Sequence, residues 1–248
     1  MFKFQPMIKS SLKDYTIYKF RNIATPHLLS GKPLNIHRET GTINRDLLGK
    51  FLNGKDQKII FPDQKHTANV AVVSDQTLGD AFPETDAIIS DLPGIMLGVV
   101  TADCVPLLIH DPVKRAVGAV HAGWRGTRSR IVERAIQAME QQFYSNPGDL
   151  KVGIGPSISG EVYEVDKEVY QAYAKNEHDV DLFFAKQSKG KYLLDLWQAN
   201  YQQLINSGVP KHSIELSNLC TFTLNHDFYS ARRDGIHTGR NAAVIKND

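Results

Sequence analysis

Three residues able to hold a soft or borderline metal stand near the ends of runs that read as strands. His66 precedes "TANVAVV", Cys104 follows "VVTAD", and His121 closes "VGAV". Zinc takes imidazole and thiolate ligands, and a catalytic zinc keeps three protein ligands with one position open. Two histidines and a cysteine make such a set. Their spacing is non-local, unlike a Cys-x-x-Cys finger, so plainer roles stay open. A cysteine can be a small buried hydrophobe, and a histidine at a strand end can make one ordinary hydrogen bond. Cys104 and His121 also read as the nucleophile and base of a Cys–His hydrolase, which leaves His66 without a task. A structural zinc takes four protein ligands. Cys220, the only other cysteine, offers no convincing fourth from sequence alone.

Further polar residues surround these positions in sequence. "HAGWRGT" (121–127) carries Gly123 and Gly126 just before an expected helix, with Arg125, Arg128 and Arg130 crowding its start. A helix N-terminus presents unpaired N–H groups and favours anions, and the glycines bare the backbone there. Arg125 is the candidate for gripping a phosphate in fork geometry, whereas Arg128 and Arg130 read as solvated. In "FYSARRDGIHTGR" (228–240), Arg232, Arg233, His237 and Arg240 fall within nine positions. Strand alternation would send Arg232 and Arg233 to opposite faces. A charged edge hairpin that discourages aggregation is the plain alternative. Asp103, beside Cys104, ends an apolar strand, where a carboxylate is unfavourable unless paired. It could orient a metal-ligating histidine or take a proton. "GIGPSISGEVYEV" (153–165) reads as strand, structural turn and strand. His27, His37, His110, His178, His212 and His226 carry nothing that lifts them above surface or turn residues.

These side chains need a scaffold, and the middle of the chain supplies strand patterns. "ANVAVVS" (68–74), "DAIIS" (86–90), "IMLGVVTA" (95–102), "VPLLIHD" (105–111) and "AVGAVHA" (116–122) are short, β-branched and punctuated by Gly, Pro or Asp. "DPVKR" (111–115) predicts a hairpin, hence antiparallel pairing. Consecutive apolar positions predict burial on both faces. Ile131, Val132, Ala135, Ile136, Met139 and Phe143 recur at helical spacing, with Thr127 as the expected N-cap. Helices are also expected near 167–175 and 196–207. Strands are expected at 151–155, 213–217, 227–232 and 241–245. Strands and helices do not alternate one for one, which excludes a doubly wound fold. The expectation is an α+β class chain. It would form a single layered domain over 1–248 with mixed, mainly antiparallel β-sheets and outer helices.

Composition bounds the rest. The 248 residues suffice for one large core, and 42% hydrophobic with 23% charged content is that of a globular chain. A net charge of +2 gives no case for nucleic acid as a partner. No apolar run reaches the ~18 residues of a membrane span. The opening "MFKFQPMIKSSLKDY" lacks the apolar stretch of a signal peptide. The expectation is therefore a cytoplasmic protein with free thiols, monomeric or a weak homodimer.

The motifs "TADCVPLLIHDP", "VGAVHAGWRGT", "GIGPSISGEVYEV", "QKH" (64–66) and "SARRDGIHTGR" together resemble one family over about Ile36–Ile245. It is the purine nucleoside phosphorylase family also described as laccase-like polyphenol oxidases, with a peptidoglycan editing factor branch. The resemblance implies a zinc held by His66, Cys104 and His121. It also implies phosphorolysis of adenosine, inosine, guanosine and methylthioadenosine, deamination of adenosine, and nucleosides with phosphate as small-molecule partners. The chain departs from the family at two places, with Gly31 alone in "HLLSGKPLN" (27–35) and Ala231 between Ser230 and Arg232. Both would bear on the pocket rim.

The sequence thus predicts a zinc-dependent purine nucleoside phosphorylase with adenosine deaminase activity. Asp103, Arg125 and Arg232 are its expected catalytic residues, and Arg125, Arg232 and Arg240 its expected phosphate ligands. The alternatives are a copper-dependent phenol oxidase, the Cys–His hydrolase, and a non-enzymatic cell-wall quality-control or partner-binding module.

Overall fold

A computed structural model describes residues 7–12, 15–36, 48–52, 59–175 and 180–248. His37, His178 and parts of the opening segment lie outside these ranges. The strands in chain order are β1 (Ile8–Leu12), β2 (Tyr15–Lys19), β3 (His27–Ser30), β4 (Ile59–Ile60), β5 (Val70–Val72), β6 (Ala87–Ser90), β7 (Met96–Thr101) and β8 (Val105–Asp111). They continue as β9 (Ala116–Ala122), β10 (Lys151–Ile154), β11 (Glu164–Val165), β12 (Phe184–Lys186), β13 (Tyr192–Leu194), β14 (Ile214–Leu216) and β15 (Asn241–Lys246). The helices that matter below are α1 (Trp124–Arg128), α2 (Ile131–Phe143), α3 (Lys167–Ala174), α4 (Leu196–Asn206) and α5 (Ala231–Asp234).

The strands form two six-stranded sheets, β1-β2-β3-β15-β7-β4 and β14-β10-β8-β9-β6-β5, and a small sheet β11-β13-β12. Pairing is antiparallel except at β10–β14, β4–β7 and β5–β6. The class is therefore α+β with mainly antiparallel sheets, as the strand patterns predict.

Period-two alternation explains how the layers stack. Leu97, Val99, Ala243 and Ile245 of the first large sheet meet Ile88, Leu108, Val117 and Ala119 of the second in one buried cluster. The opposite face of the second sheet presents Val105, Leu107, Ile109, Val120 and Ala122 to Ile131, Ala135, Ile136 and Met139 of α2. Every residue of β8 and β9 is buried, in keeping with the consecutive apolar positions.

Three local expectations are corrected. Thr127 does not cap α2. It lies buried inside α1, where its hydroxyl meets Asn200, and α2 instead begins after Arg130 in the left-handed conformation. The expected strand at 227–232 is absent. Ser230 instead caps the short helix α5 by accepting from Arg233 N–H. The local Ser-x-x-Arg turn prevails over a weak apolar pattern there. His27 and His110 are buried in β3 and β8 rather than exposed. His27 accepts from Phe20 N–H through Nε2 and donates from Nδ1 to Thr25 O, so one neutral tautomer satisfies both partners.

Candidate metal centre

Strand register gathers the chemistry at one end of the second sheet. Pairing of Ala87 with Val120 sets Asp86 opposite His121, and pairing of Val105 with Ala122 sets Cys104 opposite Gly123. His66 arrives from the segment before β5. Its position is fixed by Gln64, whose amide donates to Val100 O and accepts from Val100 N–H, extending the β7 ladder by one side chain. The ligand atoms of His66, Cys104 and His121 all lie within 4.8 Å of one another. Among the described residues no fourth His, Cys, Asp or Glu joins them.

The spacing of His66 and Cys104 suits a shared metal. Ligands at about 2.0–2.3 Å in tetrahedral array stand roughly 3.3–3.8 Å apart. His66 Nε2 and Cys104 Sγ are 3.7 Å apart. The two imidazoles meet edge to face with centroids 5.0 Å apart. His121 Nδ1 is 2.7 Å from Asp86 Oδ1, which leaves Nε2 for the metal, the usual carboxylate–histidine–metal arrangement.

Asp86 is the residue that sequence reasoning missed. It is fully buried and accepts five hydrogen bonds. Oδ1 takes His66 N–H and His121 Nδ1–H, and Oδ2 takes Lys65 N–H, Thr67 N–H and the Thr67 hydroxyl. One carboxylate thus orients two of the three ligands. Burial alone would raise its pKa, but His121 and Thr67 hold it well below the usual carboxylate range.

Asp103 does not orient a histidine. Its carboxylate accepts from the Thr221 hydroxyl and from Arg232 N–H, and its carbonyl accepts from Ile158 N–H. These bonds hold a residue at φ 94°, an unfavourable conformation for a non-glycine side chain. His66 is likewise held at φ 61°. Two of the eight non-glycine residues with positive φ among the described residues thus sit at a ligand position or beside one.

The glycines serve close approach more than turning. Gly123 has an ordinary extended conformation. A Cβ there would stand 2.9 Å from Cys104 Sγ and 2.9 Å from His66 Cδ2. Gly126 lies inside α1, where a Cβ would be 3.0 Å from Thr67 O. Small residues at both positions let the 121–127 segment lie directly on the ligand-bearing 66–67 loop.

The charges of the trio act on one another. Burial alone would raise the Cys104 thiol, but His121 and then His66 outweigh it and hold it at about 6. Burial would lower His121, yet Cys104 and Asp86 raise it to about 9. Each group thus favours the charged form of the other. Such a donor set is ready to exchange its proton for a cation.

The arginines separate into occupied and available. Arg233 donates to Thr221 O, Phe222 O, Phe228 O and the Asp234 carboxylate, which fixes α5. Arg240 donates to the carbonyls of Ile236, Thr238 and Gly239 in its own loop, while Cys104 and Asp103 act on its charge. Arg125 is exposed and lies over the Trp124 ring at 4.3 Å. Arg232 is exposed, lies 5.1 Å over the Tyr163 ring and engages Glu164 O through Nη1 alone. A separate cavity of about 1790 Å³, walled by Phe183, Trp197 and Tyr201, includes none of the trio. Donor chemistry, not cavity size, locates this site.

A family model described as "Multi-copper polyphenol oxidoreductase laccase" matches residues 36–248. The chain belongs to this laccase family. Within it, the chain is 38% identical over 205 residues to a protein of Bacteroides thetaiotaomicron named purine nucleoside phosphorylase, covering 79% of this chain and 76% of that one. It is 35% identical over 190 residues to a protein of an unknown prokaryotic organism named adenosine deaminase RL5, covering 73% and 72%. Among solved structures, YlmD from Geobacillus stearothermophilus superposes with a TM-score of 0.89 at 29% identity, covering 98% of this chain and 99% of that one. The laccase family member described here thus shares its fold with YlmD. Among its described residues no helix is long and apolar enough to cross a membrane.

Proposed function

We propose that this protein is a zinc-dependent purine nucleoside phosphorylase that also deaminates adenosine. The observation that carries the reading is the three-ligand His66–Cys104–His121 set with Asp86 behind it, in a chain whose relatives bear both enzyme names. One thiolate and two imidazoles suit zinc, and three ligands leave the open position of a catalytic site. A zinc there would supply Lewis acidity to the reacting oxygen. One such centre does not make a multicopper cluster, so the copper oxidase alternative is disfavoured by ligand count.

In phosphorolysis a phosphate oxygen bonds to the anomeric carbon as the carbon–nitrogen bond to the purine breaks. The base leaves with the bonding pair and takes up a proton. Arg125 and Arg232 would hold the phosphate, because their guanidinium edges are the ones left open to solvent. Asp103 would act through Arg232, whose backbone N–H it fixes, and not as a proton carrier, since both its oxygens already accept hydrogen bonds. In deamination water replaces the 6-amino group and ammonia departs, a reaction that needs no phosphate.

The Cys–His hydrolase is the second reading, and Asp86 favours it. Cys104, His121 and Asp86 stand in the order nucleophile, base and orienting carboxylate. Chelation separates the two. The zinc enzyme loses inosine phosphorolysis when stripped and regains it with zinc. Turnover by metal-free protein, with an adduct at Cys104, would establish the hydrolase instead.

A further inference from the structure

The helix that carries Arg125 does not hold itself in place. α1 has five residues, no side-chain cap at its N-terminus and no acidic residue in its first turn, and so short a helix is unstable alone. Side chains of two other helices grip it instead. From α4, Asn200 gives one amide N–H to Thr127 Oγ1 at 3.1 Å and another to Leu196 O at 2.7 Å, while Gln203 donates to Thr127 O at 2.7 Å. From α3, the Tyr173 hydroxyl donates to Trp124 O at 2.9 Å, and Arg128 Nε of α1 donates back to Ala172 O at 2.7 Å. Thr127 and Asn200 are fully buried. Thr127 in turn donates its N–H to Gly123 O, and Gly123 lies against Cys104 and His66. Arg125 stands between the anchored end and the end at the metal centre, with its guanidinium on the Trp124 ring of the same turn.

An apolar pair would pack this contact between helices without asking for partners. Thr127, Asn200 and Gln203 instead match one another in one arrangement, and another would leave buried polar groups unpaired. We infer that Thr127 is a positioning residue, through which Asn200 and Gln203 set the placement of Arg125 beside the His66–Cys104–His121 trio. This rests on the proposed role of Arg125 in holding phosphate, the anion whose grip the placement would govern. The metal ligands are held independently of the clamp, by strand register, by Gln64 and by Asp86. Loosening α1 therefore moves the arginine and spares the ligand set.

The test compares Thr127→Val, which keeps the shape and loses the hydroxyl, with Thr127→Ser, which keeps the hydroxyl and loses a methyl. Inorganic phosphate is titrated calorimetrically into zinc-replete protein, with and without Arg125→Ala. Steady-state KM values for phosphate and inosine and a chelator-competition zinc titration accompany it. In Thr127→Val, phosphate Kd and KM are expected to rise about fivefold or more, with inosine KM and zinc Kd within about twofold of native. Thr127→Ser should stay within about twofold in all four. Added to Arg125→Ala, Thr127→Val should weaken phosphate no further. Both single variants lose some stability, one to an unpaired buried amide and the other to a void, so Tm does not decide. A native phosphate Kd in Thr127→Val would overturn the inference; should that variant not fold, Gln203→Met carries the same expectation and the same refutation. Equal losses in Thr127→Val and Thr127→Ser would also overturn it. So would a zinc Kd that rises with the phosphate Kd, an undiminished effect on top of Arg125→Ala, or native protein that binds no phosphate. Weakening of phosphate that depends on Arg125, in a protein that performs no phosphorolysis, would uphold the placement and refute the proposed reaction.

Discussion

Replacing Asp86 with asparagine changes one atom and tests how the site is built. Asp86 faces donors on both oxygens, two at Oδ1 (His66 N–H and His121 Nδ1–H) and three at Oδ2 (Lys65 N–H, Thr67 N–H and the Thr67 hydroxyl). An asparagine must turn its NH₂ toward one of these groups. Toward the Oδ2 group, it opposes two backbone N–H donors, and the Thr67 hydroxyl alone can rotate to accept. Toward the Oδ1 group, it opposes His66 N–H and pushes the His121 proton from Nδ1 to Nε2, the nitrogen the metal needs. The first orientation loses two hydrogen bonds to a buried charge and the second loses one, each worth about 1.5–3 kcal/mol, and the second also spoils the tautomer the metal needs. The expected destabilisation is about 1.5–3 kcal/mol, or roughly a 3–12 °C fall in Tm for a chain of this size. Zinc affinity should fall roughly 10- to 100-fold, as for other residues that orient metal ligands. Chelator-competition titration reads the affinity and calorimetry the stability. Zinc affinity within threefold of native, with Tm within 2 °C, would refute the argument that Asp86 orients both histidines.

Four further outcomes follow. Gly123→Ala should lower zinc affinity at least tenfold, because the new Cβ would press on Cys104 and His66 at 2.9 Å; a native zinc titration curve would show that the ligands yield freely. Single replacements of His66, Cys104 or His121 should abolish stoichiometric zinc while leaving the circular dichroism spectrum intact, since a core of this size folds without a metal; unfolding of all three variants would make the zinc structural. Arg125→Ala should raise the phosphate KM about tenfold or more and reduce adenosine deamination less, with stability within ~0.5 kcal/mol of native, and equal loss of both activities would assign it to the nucleoside. Burial lowers His27 to about 4, so between that value and 6.5 the unfolded chain binds the extra proton and stability rises with pH. Acidification across the window should remove about 3 kcal/mol, measurable as a falling urea midpoint and flattened in His27→Gln; identical pH slopes would contradict it.

The sequence exposed ligand chemistry more clearly than geometry. Residue type and strand-end position nominated His66, Cys104 and His121, and the resemblance carried by the surrounding motifs joined them into one metal site. The choice between Asp86 and Asp103 was not legible. Each carboxylate adjoins an apolar strand, and only the β6–β9 register sets one opposite His121. Arg125 and Arg240 look alike in sequence, and the fold separates them by giving Arg240 three carbonyls from its own loop. Tyr163 read as part of the strand after a structural turn, since nothing local announces that Arg232, 69 residues on, would cover its ring. The strands of the two large sheets' centres were legible because both faces are apolar. The short helix α5 was not, because its Ser230 cap sits inside an apolar run that reads as a strand, and Arg233 bonds to the Thr221 and Phe222 carbonyls hold it in place.

Metal content of the native protein tests the central claim most directly. Protein purified without added metal, measured by elemental analysis beside its inosine phosphorolysis rate, should hold close to one zinc per chain. Activity should fall in proportion as a chelator removes that zinc and return on its readdition. Fully active protein holding no zinc, or holding copper whose removal alone abolishes turnover, would contradict the account.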